Sequence, residues 1–284
     1  MAANVASVAI GLVVLGVLFG VLERLVPAVA GQPRIRTGTW VDVGWFFVTP
    51  LVSKGISRVA IVLVLVGVAA ASGVPIRVDA MQEFLAPRPA LAALPWGAQL
   101  VLLLLVADLF GYASHRWLHA SPRLWPLHAV HHSSTEVDWL SAGRVHPLND
   151  VVTRLAQSVP IVLVGFDPTI VAAYVPLLVF YAVLVHANVD WTFGPLRHVL
   201  ASPVFHRWHH AAEEEGLNRN FAGMFPFIDL AFGTFHMPRD HRPERFGIPD
   251  GDVPGSMWGQ VVYPFRRARP SHESAPSAAP STLA

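Results

Sequence analysis

Long apolar runs restrict this chain more than any other feature it has. Residues 5–26, 56–71, 96–112, 151–164 and 169–186 are each almost wholly apolar. A bilayer core about 30 Å thick needs roughly 20 residues of helix to cross it, and it offers backbone N–H and C=O groups no partner, so such runs must be helical. With 53% hydrophobic and 14% charged residues, the sequence predicts an all-α polytopic membrane protein with four to five membrane-embedded helices. The formal charge of +1 argues against nucleic acid as a partner. There is no cysteine, which excludes disulfides, iron–sulfur clusters and zinc–thiolate sites.

The runs also set the topology. No basic stretch precedes the first run, and residues 22–25, Leu-Glu-Arg-Leu, are not a small-residue cleavage site, so an uncleaved first helix is expected. Gly165-Phe166-Asp167-Pro168 reads as a hairpin turn between the last two runs. The run at 151–164 is short for a full crossing, which leaves a re-entrant hairpin open. The first connection holds Arg24, Arg34, Arg36, Lys54 and Arg58, the second only Arg77 and Arg88. The positive-inside rule therefore puts the first connection, and the end of the third run, in the cytoplasm. The expected division is a membrane region at 1–95, a catalytic region at 96–268 and a disordered Ser/Ala/Pro tail at 269–284.

Three short histidine words follow the third run. They are His115-Arg116-Trp117-Leu118-His119, His128-Ala129-Val130-His131-His132 and His206-Arg207-Trp208-His209-His210, and they use eight of the fourteen histidines. Residues three and four apart share a helix face, so each word presents two or three imidazoles in one direction. So many buried imidazoles are costly without a partner, and a metal centre supplies one. Eight ligands exceed the four of a structural zinc site but suit two octahedral ions, with positions left for water or O2. The second word has Ala129 where a zinc protease has glutamate, and the Glu-x-x-His pattern of soluble di-iron bundles is missing. Asp108, Tyr112, His115 and His119 fall on one helical face, which makes Asp108 a candidate to accept a hydrogen bond from a ligand imidazole. Arg116, Arg144 and Arg207, beside the words, read equally as lipid anchors or as ion-pairing residues at a membrane surface.

The words HRWLH and HAVHH with Ser133-Ser134, the RVHP at 144–147, the SPVFHRWHH at 202–210 and the FGTF at 232–235 resemble the sterol desaturase and fatty acid hydroxylase superfamily over residues 107–238. The resemblance implies a membrane-embedded enzyme that uses two iron ions and O2 to hydroxylate or desaturate a lipid. By position it implies His115, His119, His128, His131, His132, His206, His209 and His210 as metal ligands, with His186 and His146 as further candidates. Two departures stand out. Asn218 replaces an expected aspartate ahead of Asn220-Phe221, and Ile228-Asp229 stands where a Trp-Asp pair is usual. Asn220 and Asp229 are expected to support the ligands, and His198, His236, His241 and His272 are read as ordinary.

No electron-carrying segment is visible, so an external donor of the ferredoxin or cytochrome b5 type is expected. The compact form suggests a bacterial inner-membrane protein. Two other functions remain open. A metal-dependent lipid hydrolase would use a carboxylate near the words, such as Glu136, Asp138 or Glu213 to Glu215. A metal transporter would need ionisable residues along the spans, where Asp108 is almost alone.

Overall fold

The computed structural model describes residues 2–249 and 251–266; the expected tail at 269–284 lies outside the described residues. Among them every regular element is a helix, with no strand beyond an isolated bridge between Ala211 and Phe246. The helices in order are α1 (Ala2–Leu25), α2 (Thr39–Val48), α3 (Lys54–Ala71), α4 (Val78–Phe84), α5 (Pro89–Ala92), α6 (Trp96–Ala120), α7 (Trp125–His132), α8 (Pro147–Val164), α9 (Pro168–His186), α10 (Pro203–His209), α11 (Phe227–Ala231) and α12 (Met257–Val262). Among the described residues four stretches are long and apolar enough to cross a membrane: Val5–Leu25, Thr39–Ala71, Trp96–Ala120 and Pro168–His186. The chain is an integral membrane protein.

The second crossing differs from its expected bounds. Helix α2 runs into α3 through one π turn at Thr49–Ser53, giving 33 helical residues, or about 50 Å at 1.5 Å per residue. That exceeds a hydrocarbon core of about 30 Å. Pro50 lies in the π turn, where its missing N–H breaks the regular ladder. The α3 segment crosses, and α2 stands above it among the histidine elements. The loop at 26–38 lies on that same side. Asn188, just after α9, exchanges hydrogen bonds with Val29 at 2.9 and 3.1 Å, and Glu23 accepts from the backbone N–H groups of Trp139 and Asn188.

Helices α8 and α9 form the expected hairpin. Gly165 turns the chain with φ +82°, and the Asp167 carboxylate caps α9 through the Thr169 N–H. The Arg88 N–H donates to the Gly165 carbonyl at 2.9 Å, which puts this turn level with the connection between the second and third crossings. The hairpin thus reaches the far side rather than turning back part-way. Helix α8 starts four residues earlier than its apolar run, at Pro147. It carries Asn149, Asp150, Thr153 and Gln157 into the bundle against α6 and α9.

Candidate metal centre

Helices α6, α7, α9 and α10 bring the histidine words to one place. His115 and His119 end the third crossing, His128, His131 and His132 sit on α7, His186 ends α9, and His206 and His209 sit on α10 with His210 at its cap. Nine imidazoles sort into two groups: His115, His119, His128, His132 and His209 in one, His131, His186, His206 and His210 in the other. Within each group the ligand atoms lie within 4.8 Å of one another.

The ring nitrogens show which way the lone pairs face. His115 Nδ1 pairs with the Phe221 carbonyl at 2.8 Å, His131 with that of Arg144 at 3.1 Å, His186 with that of Ala182 at 2.6 Å and His209 with that of Arg219 at 2.8 Å. A carbonyl only accepts, so each of these Nδ1 atoms carries the proton and each Nε2 is a bare lone pair. His128 Nδ1 pairs with Asn149 Oδ1 at 2.9 Å. Asn218 is the side-chain hydrogen-bonding partner of His119.

This arrangement tests whether metal fits. His131 Nε2 and His186 Nε2 face each other at 3.1 Å, both without a proton, and His115 Nε2 faces His128 Nε2 at 2.9 Å. Two lone pairs at that distance repel. A second proton would relieve them, but burial holds His131, and likewise His128, His132, His206, His209 and His210, well below the ordinary imidazole pKa. A cation between them relieves them too. Two nitrogens bound to one ion at about 2.1 Å and a right angle stand about 3.0 Å apart, and the Nε2 contacts within the groups run from 2.9 to 3.2 Å. His119 Nε2 and His209 Nε2 are buried with no partner, which is rare for a polar atom that has no further role. Both groups fit a metal ion.

Four candidates stand apart from the groups. His146 caps α8: its Nδ1 accepts from the Leu148 N–H and its Nε2 pairs with the Val261 carbonyl, each at 3.2 Å. With both nitrogens committed to backbone, it has none left for an ion. Asp108 does not meet an imidazole. Its carboxylate accepts the N–H groups of Gly223, Met224 and Phe225 at 2.7 to 3.1 Å and so clamps that loop onto α6. Asp229 accepts from the Phe221 and Ala222 N–H groups and the Thr234 hydroxyl. It reaches His115 only through the Phe221 peptide. Asn220, at φ +58°, bridges the Phe205 and His236 carbonyls and positions α10 indirectly. Of Asn149 and Asn218, which do touch the rings, Asn149 carried no signal of that role in the sequence, whereas Asn218 stands where the resemblance expects an aspartate.

No carboxylate belongs to either group among the described residues. Asp138 is tied to Arg36, Glu213 accepts from the backbone at 244 and 245, and Glu215 faces His236 and His241. The arginines beside the words are mostly structural. Arg144 pairs with Asp42, Arg207 is buried on the Val137 carbonyl and stacked on Phe246, and Arg116 donates to the Tyr112 hydroxyl.

Beneath the histidines a cavity of about 240 Å³ opens between α6, α8 and α9. His115, His128, His131, His186 and His206 line its upper end, and Tyr174 its deep end. Helix α9 advances about 18 Å from Tyr174 to His186 at 1.5 Å per residue.

The profile of the fatty acid hydroxylase family matches residues 100–234. The chain is 31% identical over 173 residues to an ornithine lipid hydroxylase, OlsE, of Rhizobium tropici, which covers 61% of this chain and 52% of that one. It is 27% identical over 174 residues to the alkylglycerol monooxygenase of Caenorhabditis elegans, covering 61% and 34%, and 32% identical over 127 residues to that of Homo sapiens, covering 44% and 28%. The chain thus spans about half or less of the length of these relatives. No solved structure matches. Eight of the nine clustered histidines come from the three words, the ninth is His186, and all nine lie within residues 100–234, the segment that matches the fatty acid hydroxylase family.

Proposed function

We propose that this chain is an O2-dependent oxidoreductase that hydroxylates or desaturates a membrane lipid. The observation that carries the reading is the facing pair of unprotonated Nε2 atoms at His131 and His186, 3.1 Å apart, within an all-nitrogen set of nine rings. His115, His119, His128, His132 and His209 would hold one ion and His131, His186, His206 and His210 the other. Four or five neutral nitrogens leave an octahedral ion open positions, and iron is the redox metal that such a set suits. When bound, the pair supplies the activation of O2 against a C–H bond.

The chain's own residues do the rest. The carbonyls at 144, 182, 219 and 221 and the amide of Asn149 hold the rings in the tautomer that ligation needs. The cavity between α6, α8 and α9 admits a segment of lipid from the bilayer and excludes bulk water. The carboxylates Asp138, Glu213 and Glu215, which a hydrolase would use as a general base, are committed to Arg36, to backbone N–H groups and to His236 with His241, which favours oxidation over hydrolysis. The names of the relatives, an ornithine lipid hydroxylase and alkylglycerol monooxygenases, are consistent with a lipid substrate. Electrons come from a separate donor of the ferredoxin or cytochrome b5 type.

The metal side is cytoplasmic in this reading. Arg24, Arg34, Lys54 and Arg58 flank it, while Arg77 and Arg88 lie opposite. Arg36 is neutralised by buried Asp42 and Asp138 and drops out of the count, and the bias remains.

The test is metal content and product. Protein purified in detergent and reconstituted with ferrous iron should hold about two iron per chain. Incubated under labelled dioxygen with its host's extracted lipids and a reductant, it should give a lipid carrying one labelled oxygen or one new double bond. Less than one metal per chain after reconstitution would sink the proposal, as would an unlabelled, hydrolysed product.

A further inference from the structure

The cavity has one polar wall. Asn149, Asp150, Thr153 and Gln157 recur along one face of α8 and line it, while α6 and α9 contribute Leu104, Ala107, Leu178 and Val185 among others. Polar side chains inside a membrane bundle are costly unless they have work there. Their hydrogen bonds are half made. Asp150 commits Oδ2 to the Ser53 hydroxyl and to Arg154 Nε. Asn149 commits Oδ1 to His128, and Gln157 commits Nε2 to the Ala107 carbonyl at 3.3 Å. Asp150 Oδ1, Asn149 Nδ2 and Gln157 Oε1 therefore have no protein partner among the described residues. At the deep end the Tyr174 hydroxyl is also buried without a partner, on a side chain only 6% exposed.

Of the carboxylates in the lining, Asp108 accepts three backbone N–H groups and Asp150 is paired with Arg154, and no lysine or arginine lines the cavity among the described residues. An anionic group brought to the α8 stripe therefore finds no uncommitted cationic side chain there. A group that donates hydrogen bonds meets the acceptors Asp150 Oδ1 and Gln157 Oε1. Asn149 is bonded to His128, and Gln157 lies about 12 Å further along α8 at 1.5 Å per residue, so the stripe begins at the metal centre's edge. A volume of about 240 Å³ is below the roughly 300–1,000 Å³ of a complete small-molecule pocket, so part of a lipid enters and the rest stays in the bilayer.

We propose that the α8 stripe is the recognition site for a hydrogen-bond-donating, non-anionic polar group of the lipid, a hydroxyl, amide N–H or ammonium, and that it rejects a free carboxylate or phosphate. This inference rests on the lipid-oxygenase reading for its purpose, but its test needs no turnover. The metal-loaded full chain is released from detergent micelles in a native mass spectrometer, and binding is compared for hexadecanol, hexadecylammonium, palmitate and hexadecane at about pH 8, where palmitate is ionised.

Hexadecanol or hexadecylammonium, or both, should bind about tenfold tighter than palmitate, and whichever leads tells a hydroxyl site from an ammonium site. Asp150→Asn should narrow the gap by strengthening palmitate. Thr153→Val and Gln157→Leu, which keep the shape, should bring hexadecanol toward hexadecane. Palmitate binding as tightly as hexadecanol in the unmodified chain would overturn the inference, as would an order of affinities unmoved by all three substitutions. A protein that keeps this order yet oxidises no lipid would leave the recognition site standing and remove the proposed reaction.

Discussion

The carbonyls that hold the imidazoles decide what each histidine can do. His131 and His186 donate their Nδ1–H groups to main-chain oxygens and turn bare nitrogens toward each other, whereas His146 has both nitrogens tied to backbone. His131→Ala or His186→Ala should therefore lower bound metal from about two ions per chain to about one, measured by elemental analysis of the purified protein. His146→Ala should leave the metal count unchanged and cost about 1 kcal/mol in thermal unfolding, the worth of a helix N-cap. Asn149→Leu should weaken one ion roughly 10- to 100-fold, read by competition with a chelator. The histidine words were legible because their spacing is local. The partners at 144, 182, 219 and 221 were not, because a peptide carbonyl is present at every residue and only the fold selects four of them. Asp108 misled for a related reason: its place on the His115 face was right, but three backbone N–H groups from a loop more than a hundred residues away compete for its oxygens.

At the scale of elements, apolar length located the crossings but not their ends. The run at 56–71 matches α3 closely, yet α2 continues it upstream through the π turn, because aromatic and polar residues at 39–53 can be helical without being buried in lipid. Helix α8 was under-read because its polar stripe faces inward, opposite to the pattern of a soluble helix. The α8–α9 hairpin was legible from its turn residues alone. Gly165 there has a left-handed backbone, and a Cβ on it would meet the Arg88 side chain at 2.7 Å and its backbone nitrogen at 3.2 Å. Gly165→Ala should cost at least about 1–2 kcal/mol from the backbone conformation alone, seen as a lower midpoint of thermal unfolding in detergent, with the metal count unaffected.

For the whole molecule, the division at residue 95 separates sequence segments that the fold joins. Arg36 grips Asp138 through two nitrogens at 2.7 Å and Asp42 at 2.6 Å, and Asp42 pairs in turn with Arg144. The Arg144 carbonyl holds His131, so a buried chain of four charges runs from the loop after α1 to the metal centre. Asp42→Ala leaves two buried guanidinium groups short of a partner and should cost about 3–5 kcal/mol, with the His131 group losing metal before the other. A chain lacking residues 1–95, though it keeps all of the matched segment at 100–234, should fail to hold two ions when purified beside the full chain. The same four charges bear on how the protein is made. Arg36 and Asp42 are six residues apart and neutralise each other, while Asp138 and Arg144 add one charge of each sign. Each half of the network is electrically balanced when it leaves the ribosome. The loop after α1 and helix α2 therefore carry no stranded charge on the histidine side while about a hundred residues of synthesis bring the partners that lock them in place.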